Sequence, residues 1–198
     1  MDIKKIDVTE EYFRNIAMGR PNIKKEINSY LLIQDKFNNN CIDDEFIKTY
    51  KWFYKLDNAG LGNEIKKKNF ELISQRSSNL EQILSEIYDM PTLRGYHTIQ
   101  LSFATKIIHT VDNGKPIFDA NVSKLLGLNK VISSSSTKEA RIKSAKSVYD
   151  ELIAKTESVI KSPVGNNLIA YFYGLEIPNI EKIPKTKAID FCFWILGA

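Results

Sequence analysis

Apolar side chains in this sequence recur at three- and four-residue intervals in one segment after another, and no convincing stretch alternates with period two over the length of a strand. Ile23, Ile27, Tyr30, Leu31 and Ile33 share one helical face. Phe46, Ile47, Tyr50, Phe53 and Tyr54 do the same within residues 44–56, and Ala145, Val148, Tyr149, Leu152, Ile153 and Thr156 within residues 138–158. Helix-breaking punctuation separates these segments: Gly19-Arg20-Pro21, the asparagine run 38–40, Gly60-Leu61-Gly62, Met90-Pro91 and the pair Pro178 and Pro184. The pattern predicts an all-α chain, a compact bundle of roughly eight to ten helices. With 198 residues, it suits a single domain that buries a real core, with room for two lobes around a cleft near residues 94–128.

Residues 101–128 place reactive side chains at interpretable positions. Leu101, Phe103, Ala104, Ile107 and Ile108 predict a helix buried on one face over residues 101–110. Asp112-Asn113-Gly114-Lys115-Pro116 must end it, because it combines a side chain that caps its own turn, a residue free to take positive φ, and a proline that drives its predecessor extended. After Ile117 and Phe118, Asp119 sits where the N-cap of the next helix belongs, ahead of Ala120, Val122, Leu125 and Leu126. Lys106 is expected near the start of the first helix, where the dipole and partial burial both favour the neutral, nucleophilic amine. Asp119, held ionised by helix N–H groups, would stabilise positive charge on a substrate.

Ser102-Phe103-Ala104-Thr105-Lys106 resembles the hairpin and catalytic-lysine segment of the helix-hairpin-helix DNA glycosylases, nearest to their 8-oxoguanine DNA glycosylase-like branch. Pro116 through Val122 resembles the proline-to-aspartate segment of the same proteins. The resemblance implies a degenerate helix-hairpin-helix element, with Lys106 as the catalytic lysine and Asp119 as the catalytic aspartate. It further implies double-stranded DNA with a damaged base as partner and DNA contacts from Ser102, Ala104 and Thr105; Arg94 and His109 are further candidates for DNA contact. Both hairpin glycines of the family are replaced here, by Ser102 and Ala104, and the connection from Lys106 to Asp119 is shorter than the family's. Asp190 weakly resembles a position in the terminal helix of that branch.

Other residues are open to more than one role. Arg94 and His97, expected at the beginning of the hairpin's first helix, either reach DNA phosphate or serve the surface. His109, on the polar side of the Lys106 helix, either orients a substrate or satisfies a neighbouring carbonyl. The aromatic stripe from Phe46 to Tyr54 is either core or the wall of a pocket that stacks an extruded base. Lys66-Lys67-Lys68 is a phosphate-facing patch or a solvated surface. Asp190 stands alone as a charge within the apolar run 189–196, where a carboxylate is a cap or pairs with a lysine. Asp7 and Glu10 frame a capping box for the first helix, and the serines at 133–136 form a mobile link.

Composition narrows the chemistry. Two cysteines, Cys41 and Cys192, lack metal-ligand spacing and are read as buried thiols, and only His97 and His109 accompany them. The chain is therefore expected to carry no metal, iron–sulfur cluster or other cofactor. No apolar run approaches membrane-spanning length, and a cytoplasmic monomer with no membrane partner is expected. A net charge of +4 and a pI near 8.9 permit nucleic-acid binding, and equally suit a lysine-rich composition with no such partner. Lys106 as a surface lysine and Asp119 as a simple cap would leave a non-catalytic helical module that binds DNA or a protein.

Overall fold

The computed structural model describes residues 8–58, 60–128, 132–134 and 137–197. Ten α-helices fill it, with no strand among the described residues: α1 (Glu10–Gly19), α2 (Ile23–Asn38), α3 (Asp44–Phe53), α4 (Asn63–Ser74), α5 (Leu80–Tyr88), α6 (Leu101–Val111), α7 (Ala120–Leu125), α8 (Lys138–Ile160), α9 (Pro163–Tyr173) and α10 (Lys185–Gly197). The all-helical bundle expected from periodicity is the observed architecture. Short polar side chains start many of these helices by accepting a first-turn N–H. Thr9 accepts from Tyr12, Asp43 from Phe46, Asn79 from Gln82, Thr137 from Ala140 and Ser162 from Gly165. Asp7 and the serines at 135 and 136 lie outside the described residues.

Packing sorts the helices into two groups. α6 packs against α2, α4 and α5, whereas α10 packs against α1, α7, α8 and α9. The first helix therefore belongs with the last ones, and the chain leaves and re-enters that group through α2–α6. Aromatic rings fill the junction. Tyr30 of α2 meets Phe191 of α10 edge-on at 6.0 Å, and Phe191 stacks on Phe172 of α9 at 5.4 Å. Arg20, just past α1, donates to the carbonyls of Trp194 and Ile195 at 3.0 and 2.6 Å and lies 4.2 Å over the Trp194 ring. It thereby satisfies orphan carbonyls at the C-terminus of α10 and fixes that helix against α1.

Three local expectations are corrected. Residues 94–97 do not open a helix: they lie in the irregular connector before α6, where Gly95 takes φ 78° and Thr92 N–H donates to the Tyr96 carbonyl. The connector between α5 and α6 spans residues 89–100. Lys106 sits in the middle of α6, not near its start, because Ser102 and Ala104 are helix-competent where glycine would resist helix, and α6 already begins at Leu101. Cys41 is exposed beside Asp43, in a loop with little apolar sequence to bury it, while Cys192 is buried as expected. Of the lysine triplet, Lys66 pairs with Asp57 and Lys68 with Glu86 and Glu71, which makes it a salt-bridged surface.

The turn from α8 into α9 permits almost no side chain at Gly165. A Cβ there would stand 1.9 Å from the Val159 carbonyl oxygen and 2.7 Å from its carbon. Gly165→Ala should destabilise the protein by at least about 3 kcal/mol, despite alanine's better helix propensity. Thermal unfolding checks this, with a fall in Tm of roughly 10 °C expected.

Candidate active site

The bend between α6 and α7 forms where the sequence places it. Asp112 caps the end of α6 and accepts the Gly114 N–H at 3.0 Å, after which the chain runs extended through Pro116, Ile117 and Phe118. Three buried side chains stitch this extended piece to the body. Thr105 Oγ1 donates to the Leu101 carbonyl at 3.0 Å and accepts the Phe118 N–H at 3.0 Å. His109 Nδ1 donates to the Lys115 carbonyl at 2.6 Å, which leaves Nε2 to accept the Tyr30 hydroxyl proton at 3.1 Å. Tyr149 of α8 donates to the Pro116 carbonyl at 3.1 Å. The next residue after the piece, Asp119, caps α7 by accepting the Asn121 N–H at 2.8 Å.

This stitching reassigns part of the expected DNA surface. Ala104 and Thr105 have no exposed surface and His109 only 1%, so none of the three is available to a molecule bound outside. The bonds made by Thr105 and His109 hold the bend instead. Arg94 remains exposed and Ser102 partly so. Among these residues the structure brings Lys106 and Asp119 together, and it does so in the wall of one cavity of about 260 Å³.

The cavity lies where α2, α3, α6, α7 and α10 converge. Its cations are Lys55, Lys106 and Lys187, and its carboxylates are Glu26, Asp119 and Asp190. Rings of Phe53, Tyr54, Phe191 and Trp194 provide aromatic wall, and Ile117 and Val122 close the apolar side. The aromatic stripe of α3 thus divides: Phe46 and Tyr50 are fully buried core, while Phe53 and Tyr54 reach the cavity. Lys55 achieves its place through a left-handed backbone (φ 54°), a conformation that costs a non-glycine residue energy and here ends α3 at the cavity edge.

Lys106 Nζ donates to the Tyr54 carbonyl at 3.3 Å and lies 5.9 Å from the centre of that residue's ring. No carboxylate among the described residues comes within ion-pair distance of it. Burial pushes its pKa below the ordinary lysine range; the charge of Asp119 opposes that shift, Lys187 adds to it and Asp190 opposes it. Lys187 is 4% exposed, ion-paired to Asp190 one helical turn away, with its Nζ within 4.7–5.4 Å of the ring centres of Phe191, Phe53 and Tyr30. Asp190 is therefore paired to a lysine, one of the two roles its sequence setting allows. Glu26 is half-buried, and desolvation raises its pKa against the pull of Lys55, Arg20 and Lys187. Lys187 and Glu26 were not selected from the sequence. The i,i+3 spacing of Lys187 to Asp190 in an otherwise apolar helix carried a signal; nothing distinguished Glu26 from its surface neighbours. Among the described residues no group of three or more His, Cys, Asp or Glu is placed to hold a metal ion.

His109 is held neutral: burial pushes its pKa down to about 3, so the native state resists a proton that the unfolded chain takes up near 6.5. Between those values the unfolded state binds more protons, and stability contributed by neutral His109 is present above about pH 6.5 and is lost as pH falls toward 3. Denaturant unfolding followed from pH 7 to 4.5 should show this loss, and His109→Gln should flatten the slope while lowering stability throughout. Comparison with known proteins finds no matching family model, no matching curated protein and no matching solved structure.

Proposed function

We propose that the chain is a DNA repair glycosylase that excises a damaged purine such as 8-oxoguanine and carries an associated AP lyase activity. The observation that carries this reading is that Lys106 and Asp119, from two helices joined by a stitched bend, line one cavity with aromatic walls. The resemblance of both segments to helix-hairpin-helix glycosylases supports it. The modest positive charge permits a polyanionic partner.

An extruded base would stack against the rings of Phe53 and Trp194, since enzymes that act on a base in duplex DNA must first take it out of the helix. Neutral Lys106 then attacks the sugar C1′. The nitrogen–carbon bond forms as the glycosidic bond breaks, and the bonding pair leaves with the base, which takes up a proton. The Asp119 carboxylate stabilises the positive charge that develops on the sugar. Loss of a proton from the lysine nitrogen and opening of the sugar ring, with the ring oxygen taking a proton, give a Schiff base at C1′. A base then takes a proton from C2′ of that imine, a C2′–C3′ double bond forms and the 3′ phosphate leaves with its bonding pair, which nicks the strand. Arg94, exposed in the connector before α6, and Ser102, partly exposed in the first turn of α6, contact the DNA backbone in this reading.

The test is borohydride trapping on duplexes carrying 8-oxoguanine and a panel of other lesions. A covalent adduct is expected with the native protein and none with Lys106→Gln. Asp119→Asn preserves a good N-cap and removes only the charge, so it should lower turnover by about 100-fold or more with little change in stability. Absence of any adduct across the panel, with salt-sensitive duplex binding retained, would overturn the enzyme in favour of a non-catalytic DNA-binding module.

A further inference from the structure

Three lysines line the cavity, and of these Lys187 is buried and ion-paired within its own helix. Lys187 is shut from solvent, paired to Asp190 and enclosed by the rings of Tyr30, Phe53 and Phe191, which attract an ammonium through their electron-rich faces. Lys106 has only the Tyr54 carbonyl for a partner, and a carbonyl accepts a hydrogen bond from an amine as well as from an ammonium. When two cations compete in a poorly solvated space, the one with fewer compensating contacts gives up its proton.

We propose that Lys187 is a positioning residue for Lys106: its ammonium, locked in the same cavity by Asp190 and three aromatic rings, adds to burial in favouring the unprotonated, nucleophilic form of the neighbouring amine. The charges facing Lys106 are Asp119 at the start of α7, Asp190 and Lys187 on α10, Glu26 on α2 and Lys55 after α3. Of these, Lys187 is the cation whose place is fixed by burial on every side. The effect on the amine stands whatever the cavity binds; its use in attack on a sugar rests on the glycosylase reading above.

The assignment has a consequence measurable without DNA. Reductive methylation with formaldehyde and cyanoborohydride modifies only unprotonated amines, and mass spectrometry of the peptide containing Lys106 gives its rate as a function of pH. Lys187→Met should move that profile to higher pH, and Lys187→Arg, which keeps the charge, should leave it near the native position. Lys187→Met strands the Asp190 carboxylate in a buried site, so the double variant Lys187→Met/Asp190→Asn provides a second measurement in a background with neither charge. Its profile should move the same way by a smaller amount, because the influence of Lys187 on Lys106 exceeds that of Asp190.

Coincident profiles for the native protein and either methionine variant would overturn the proposal, as would an equal shift in Lys187→Arg. The outcomes separate from those of the glycosylase test. A Lys187-dependent profile with no lesion adduct refutes the enzyme and leaves this inference standing; a lesion adduct with a profile indifferent to Lys187→Met refutes this inference alone.

Discussion

One buried hydroxyl joins the two halves of the candidate site. Thr105 Oγ1 gives its proton to the Leu101 carbonyl one turn back and takes the Phe118 N–H with its lone pair, so it ties the helix that carries Lys106 to the segment that leads into Asp119. In a fully desolvated setting, losing that hydroxyl would strand the Phe118 N–H, at a cost of about 2 kcal/mol. His109 and Tyr149 add bonds at Lys115 and Pro116, and together they turn a proline-bearing bend into a rigid spacer. Its work is to fix the separation and direction of an amine and an acid that sequence alone leaves free.

The cavity is an electrostatic balance as well as a shape. Three lysines face three carboxylates in a space lined with aromatic rings, where charges interact more strongly than in water. The pairing is uneven. Lys187 and Asp190 satisfy each other within one helix, while Asp119 spends one oxygen on the cap of α7, and Lys106 is left with a backbone carbonyl. Uneven pairing gives chemically similar side chains different protonation, which is a condition for acid, base and nucleophile to coexist in one small site. The arrangement depends on α10, whose place is set by Arg20 at its C-terminal carbonyls and by the Tyr30–Phe191–Phe172 ring contacts.

The helical class and the bend were legible because local rules decide them. Three-and-four spacing marks buried faces, and Asp-Asn-Gly-Lys-Pro admits few backbone courses. Asp119 as a cap followed from the same kind of rule. The resemblance puts Thr105 at DNA and periodicity puts His109 on an outward polar side, yet both are buried because each finds its partners inside the fold; His109 satisfies the Lys115 carbonyl, one of the two roles its sequence setting allows. Glu26 and Lys187 escaped because their meaning depends on which helix lies opposite, a long-range matter that no spacing within α2 or α10 encodes. Lys106 was placed near a helix start because the hairpin was assumed to occupy residues 102–104; without its glycines that segment joins the helix. Burial, not the helix dipole, is then the main cause of its depressed pKa.

Uncharged Lys106 beside Asp119 in a sheltered cavity is the condition on which the whole account rests. Its most direct test is an NMR titration of the protein with carbon-13-labelled lysine side chains, with the Lys106 signal assigned by its loss in Lys106→Gln. The account predicts that this signal titrates below the group of surface lysines and moves further down in Asp119→Asn, where an attractive charge is removed. A Lys106 signal that titrates together with the surface lysines, unmoved by Asp119→Asn, would contradict it.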